Sequence, residues 1–146
     1  MKLIKIIILT VFTAVVFVKS STAGHHEMTF KYGGEFKSMN IVANGDFFSA
    51  SATFIGTNVM TMENGDKIQT NFICPALIVN GALDGSCKMK DAKSEDFWIL
   101  SFRCEADNQC TGDVVNGTGR FEGAKGSLNW WNDGGWGEGS GTFIIK

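Results

Sequence analysis

The stretch Gly112–Lys146 reads GDVVNGTGRFEGAKGSLNWWNDGGWGEGSGTFIIK. Its glycines punctuate short β segments, and this pattern constrains the fold more than any other feature of the chain. Gly126–Trp131 reads as one strand and Trp136–Ile145 as its partner, with a turn at Asn132-Asp133-Gly134-Gly135. Asp133-Gly134 suits a two-residue hairpin loop. That loop would place Trp131 opposite Trp136, Asn129 opposite Glu138 and Leu128 opposite Gly139. Side chains alternate across a strand. One face then holds Leu128, Trp130, Gly137, Gly139, Gly141, Phe143 and Ile145. Alternate glycines leave room for large partners such as Trp130 and suit a tightly coiling strand, so this face is assigned to the interior. Trp131 and Trp136 fall on the outer face near one rim.

Upstream of this hairpin, Gly117, Gly119, Phe121 and Gly123 form a structural turn. Gly119 and Gly123 allow positive φ or close backbone approach, and Phe121 is the expected plug. The run Asn116–Gly126, NGTGRFEGAKG, resembles the G-T-G-x-F-x-G-A-x-G signature of the superfamily shared by dirigent proteins and allene oxide cyclases. The Gly-Glu-Gly-Ser-Gly-Thr-Phe run ending at Phe143 resembles the closing strand of small secreted bacterial relatives. The resemblance spans about a quarter of the chain. It implies an all-β fold: a single closed antiparallel barrel of about eight strands. The signature is structural in that superfamily, so no catalytic residue is carried over.

Residues 1–23 have the layout of a signal peptide. Lys2 and Lys5 precede the apolar run Ile6–Val18, and Ser21-Thr22-Ala23 is a small-residue cleavage site. The apolar run is short for a membrane-spanning helix, which needs about 20 residues. The expectation is an exported chain, secreted or periplasmic, with one domain over 24–146 and no membrane span. With Lys2, Lys5 and Lys19 set aside, the thirteen basic residues fall to ten, against fifteen acidic ones. A nucleic-acid footprint needs the opposite balance.

Cys74, Cys87, Cys104 and Cys110 all follow the leader. An even count in an exported chain favours disulfides. Of the three connectivities, Cys74–Cys87 with Cys104–Cys110 closes the shortest loops. A zinc site is the competing reading, but the paired C-x₂-C spacing is missing. No metal or cofactor is expected. Cleavage after Ala23 would leave Gly24-His25-His26, which could hold Cu(II) or Ni(II). A frayed, exposed terminus is the preferred reading.

Met28–Tyr32 reads as a short strand, Gly33-Gly34 as a turn, and Phe36–Val42 and Phe47–Met62 as strands around Asn44-Gly45-Asp46. Glu63-Asn64-Gly65-Asp66 is the strongest hairpin signal. With Asn64 and Gly65 in the loop, Val59 opposes Thr70. Thr53, Ile55, Thr57, Val59, Ile68, Phe72 and Cys74 then face inward, and Asn58, Met60 and Met62 face the wetter side. Cys74-Pro75 should end that strand. Asn80-Gly81 and Asp84-Gly85 read as turns, and Ser86–Asp91 should pair with Asp96–Cys104. On the latter strand both faces are apolar, Trp98, Leu100 and Phe102 on one, Phe97 and Ile99 on the other.

Candidate chemistry is sparse. Asp91, Glu95 and Asp96 read as a solvated acidic turn rather than a calcium site. Arg120 and Glu122 flank Phe121 and could pair across the barrel end. The two histidines sit together at the terminus, so a Ser-His-Asp set is not credible. The sequon Asn116-Gly117-Thr118 reads as structural. The aromatics are the suggestive feature. Trp98, Trp130, Trp131 and Trp136 are the candidate ligand-binding residues, although Trp131 and Trp136 would also stabilise simply as a cross-strand pair.

Three functions are weighed. The preferred one is a binding module that takes a small apolar or aromatic ligand in the lumen or at its mouth. The second is a cyclase or isomerase of the superfamily's kind, which requires a cavity with one or two buried polar groups. The third is a homo-oligomeric interaction or structural protein using the strand Phe97–Arg103.

Overall fold

A computed structural model describes residues 24–145; residues 1–23, the expected leader, lie outside the described residues. The strands are β1 (Gly24–Asn44), β2 (Phe47–Met62), β3 (Lys67–Val79), β4 (Ala82–Asp91), β5 (Phe97–Cys104), β6 (Gln109–Gly117), β7 (Lys125–Asp133) and β8 (Trp136–Ile145), with one 3₁₀ turn at Gly119–Phe121. They pair antiparallel in chain order, and β8 pairs back onto β1, so the sheet closes into an eight-stranded barrel. Closure removes the unpaired edges that an open sheet would present.

The last hairpin turns one residue later than the sequence suggested. Gly134 and Gly135 form the loop, Gly134 taking φ +60°, and Asp133 pairs with Trp136. This moves each partner by two residues, so Trp130 faces Gly139 and Leu128 faces Gly141. A shift of two preserves the faces. Leu128, Trp130 and Phe143 are therefore buried as expected, while Trp131 and Trp136 are 38% and 48% exposed. Their rings still meet edge to face at 5.5 Å, as a diagonal rather than a directly opposed pair. A Cβ on Gly139 would strike Trp130, which occupies the space the glycine leaves.

The Asn64-Gly65 corner corrects the expected faces of β2. The loop has three residues, Glu63-Asn64-Gly65: Met62 N–H donates to Asp66 O, and Thr61 pairs with Lys67. Asn64 Oδ1 accepts from the Asp66 amide, and Gly65 takes φ +86°. This is the type I turn plus left-handed glycine that makes three-residue hairpins. Adding one loop residue slips the register by one and turns β2 over. Val59 pairs with Gln69 and is exposed, as is Thr57, while Asn58, Met60 and Met62 are buried. On β3, Ile68, Phe72 and Cys74 point inward as expected.

Three expected breaks are not breaks. Gly33-Gly34 lies within β1, where Gly34 faces Gly56 of β2. A Cβ on Gly56 would come within 2.7 Å of Gly34 Cα and 2.6 Å of the Phe72 ring, so this glycine pair is a close backbone approach. Pro75 sits inside β3 opposite Thr53. Towards β4 the ladder skips from Ile73–Lys88 to Ala76–Gly85, and the Cys74–Cys87 disulfide spans the interruption. Asn80-Gly81, both at positive φ, forms the β3–β4 turn, and Asp84-Gly85 lies within β4. Gly24, His25 and His26, expected to be frayed, pair with Ile145, Ile144 and Phe143.

One end of the barrel is closed. The turn after β6 folds over it with Gly119 at φ +53° and Gly123 at φ +72°. Phe121 is 0% exposed, edge-on to Phe143, which packs against Trp98. Gly117 permits this closure, because its Cβ would lie 2.6 Å from that of Phe121. Asn116 Oδ1 accepts from the amides of Gly117 and Gly123, so the side chain of the sequon ties the turn.

Charge fastens the same turn to the β4–β5 loop. Arg120 pairs with Asp91 at 2.9 Å, and the Arg120 amide donates to Asp96 Oδ2. Two expectations are corrected here. Arg120 bonds Asp91 rather than Glu122, and Asp91 is buried rather than solvated, also accepting from Ser94 Oγ and the Lys93 amide. A carboxylate can be buried when it is paired and hydrogen-bonded in this way.

The opposite end is open. Beyond Gly33, β1 no longer pairs with β8, and its far half pairs only with β2, which there stays paired with β3 as far as Ser49–Val79. The outward side of β5 is half-covered instead: the Lys88 ammonium sits 4.2 Å from the Phe97 ring centroid.

Candidate functional site

The hollow end of the barrel holds a cavity of about 80 Å³. Each wall follows from the strand alternation described above. β1 contributes Phe30, Tyr32 and Phe36; β2, Phe54 and Asn58; β3, Phe72 and Cys74. Met89, Leu100, Phe102 and Trp130 complete the circuit. Phe36, 41% exposed, stands at the mouth.

The aromatic walls brace one another. Phe54 and Phe72 tilt together at 5.4 Å, and Tyr32 meets both edge-on. Phe30 and Phe102 approach Trp130 at 6.0 and 6.1 Å. Such tilted and edge-on contacts add to simple area burial. They hold the walls in place without filling the space between them. Both disulfides staple this end. Cys74–Cys87 crosses from β3 to β4, and Cys104–Cys110 joins directly opposed residues of β5 and β6. These are the neighbour pairings the spacing favoured, and disulfides belong to oxidising compartments.

Three polar side chains face this apolar space. Tyr32 Oη donates to Asn132 Oδ1 at 2.6 Å. Its hydroxyl sits where Gly137 lacks a side chain, since a Cβ there would be 2.5 Å away. Burial pushes the Tyr32 pKa up to about 12, and a hydrogen bond donated by the Trp130 indole N–H works the other way. Tyr32 therefore remains a neutral phenol throughout the physiological range. Asn58 is 3% exposed. Its Nδ2 reaches Thr70 Oγ1 at 3.4 Å, and its Oδ1 has no partner among the described residues.

The structure separates the four candidate tryptophans. Trp130 lines the cavity. Trp98 is buried in the closed half against Phe143, its indole N–H without a partner among the described residues. Trp131 and Trp136 lie on the outer wall. Tyr32, Asn58 and Asn132 were missed by the sequence reasoning. Asn58 was assigned outward through the Asn64-Gly65 register. The Asx turn and three-residue loop at that corner were the signal that would have recovered it.

No group of three or more His, Cys, Asp or Glu among the described residues is arranged to hold a metal ion. No described helix is long and apolar enough to cross a membrane. No family model matches the chain, and no curated protein or solved structure matches it either.

Proposed function

We propose that this is an exported binding protein that takes a small, largely apolar ligand into the open half of its barrel. The observation that carries the reading is the cavity itself: about 80 Å³, walled by aromatic, aliphatic and disulfide groups, with a few polar atoms converging on it. Concave apolar sites of this composition are the usual form of small-ligand sites. An apolar cavity of about 150 Å³ in another protein takes up benzene; this one has about half that volume, so a single ring reaching out through the mouth is the upper limit of ligand size. The G-T-G-x-F turn closing one end of the barrel supports a place beside the dirigent and allene oxide cyclase superfamily. The leader-like segment and the two disulfides support a secreted or periplasmic location.

The same cavity has the buried polar groups that the enzymatic alternative requires, Asn58 and the half-buried Tyr32, but it offers little for acid–base work. Its one titratable side chain among the described lining residues is Tyr32, held protonated to about 12. General acid–base catalysis works best with a pKa near the operating pH. Binding is thus the better-supported reading.

Titration calorimetry with toluene tests it. Wild type is expected to bind a single equivalent, and Leu83→Trp, which adds bulk to a lining residue, is expected to lose that binding while keeping the same fold by circular dichroism. Unchanged toluene binding in folded Leu83→Trp would move the site out of the barrel.

A further inference from the structure

Away from the ligand cavity, closure of the barrel leaves one stretch of sheet edge unpaired. β1 pairs with β8 only from Gly24 to Gly33, whereas its pairing with β2 runs on to Asn44. The Gly34 amide donates to Gly135 O, and beyond it nothing among the described residues pairs with the second side of Glu35–Asn44. Each of the other seven strands has a neighbour on both sides. Every residue from Glu35 to Phe47 is exposed.

The hairpin register fixes which backbone groups are free. Gly45-Asp46 is a two-residue loop closed by the pair Asn44–Phe47, the pair that a tight turn hydrogen-bonds. Opposed residues of an antiparallel ladder alternate between bonded and non-bonded pairs. Val42 and Asn40 therefore bond Ser49 and Ser51, while Met39, Ile41 and Ala43 turn their N–H and C=O groups away from β2. Proteins blunt such an edge with charges, proline or bulges. Ser38–Asn44, SMNIVAN, has no charge and no proline, and the β1 bulge lies before it, between Phe36 and Ser38. Ile41 and Val42 are 57% and 65% exposed.

The free groups call for an extended backbone with an open edge of its own, and among the described residues this chain offers β1 alone. A strand running antiparallel to its own copy is symmetric about a two-fold axis, the commonest arrangement of protein dimers. An axis at Ile41 sets Ile41 opposite Ile41 and Met39 opposite Ala43, which satisfies the free groups of all three residues in both copies. The same axis brings Lys37 of each copy beside the Gly45-Asp46 turn of the other, a contact of opposite charges at both ends of an uncharged ladder.

We propose that two copies of this protein join through their β1 edges in an antiparallel ladder centred on Ile41. Sedimentation equilibrium and amide hydrogen exchange on the whole protein test it. Wild type is expected to dimerise with a Kd on the order of 10 μM, as small interfaces do. The Met39, Ile41 and Ala43 amides should exchange about tenfold more slowly in the dimer than in the dilute monomer. Ile41→Pro removes a donor from the free edge and none from the β1–β2 ladder, and should weaken dimerisation roughly a hundredfold. Ile41→Lys sets like charges at the axis and should do the same without constraining φ; it decides if the proline variant does not fold. Val59→Lys changes an exposed side chain of β2, which has neighbours on both sides, and should dimerise as wild type does. A wild type that is monomeric up to about 1 mM, or a dimer that Ile41→Lys leaves intact, overturns the proposal. Slow exchange of the three amides in a monomer overturns it too, since the edge would then be covered by something other than a second copy.

Discussion

Phe121→Ala is expected to lower the stability of the barrel by about 3–5 kcal/mol, the usual cost of removing a fully buried aromatic ring. Phe121 is 0% exposed, and its ring touches Phe143 on one side and lies under the Arg120 guanidinium at 4.6 Å. The surroundings cannot collapse into the vacated space. The turn is pinned by Asn116, by the Arg120–Asp91 pair and by the Arg120 amide on Asp96. A residual cavity is the outcome, and its volume adds to the lost transfer free energy. Denaturant unfolding measures the effect. Trp131→Ala is the control: its ring is on the outer wall, and loss of a cross-strand pair costs roughly 0.2–1 kcal/mol. Near-equal losses for the two variants would mean that Phe121 does not close the barrel.

Removing the Cys74–Cys87 bridge should have a comparable effect. The double variant Cys74→Ala/Cys87→Ala is expected to lose about 2–5 kcal/mol. The bridge spans 13 residues of sequence and stands where the β3–β4 ladder is interrupted beside Pro75. Without it, nothing but the flanking pairs Ile73–Lys88 and Ala76–Gly85 holds these two strands at that level. Both sulfurs belong to cavity walls, so toluene affinity should fall along with the melting temperature. A double variant that melts within a degree or two of wild type would show that the ladder alone suffices there. The Cys104–Cys110 bridge closes a span of only 6 residues, and a shorter closed loop predicts a smaller loss.

Much of the fold was legible because closed barrels repeat local signals. Alternating glycines on β8 opposite Leu128 and Trp130 identified the inner face, and a loop misplaced by one residue left that face intact. The glycines flanking Phe121 identified the plug. The site was harder to read, since it depends on register, and register at Asn64-Gly65 turns on whether the loop has two residues or three. The difference lies in the Asn64 side chain bonding the Asp66 amide, a local contact that competes with the simplest hairpin. One residue of slip placed Asn58 outside when it is inside. Gly33-Gly34 and Pro75 misled for a related reason. Both look like chain breaks, and both are places where partners come close or a disulfide replaces a ladder bond. Arg120 and Asp91, 29 positions apart in numbering, meet only because the barrel brings the plug turn over the β4–β5 loop. No local pattern announces that pair.

The four tryptophans allow a direct test of where a ligand sits. Each indole N–H gives its own signal in a ¹H–¹⁵N spectrum, and each ring occupies a different environment: Trp130 in the cavity, Trp98 in the closed half, Trp131 and Trp136 on the outer wall. Titration with toluene is expected to shift the Trp130 indole signal strongly and to leave those of Trp131 and Trp136 in place. Shifts confined to Trp131 and Trp136, with Trp130 unmoved, would contradict the account and put recognition on the outside of the barrel.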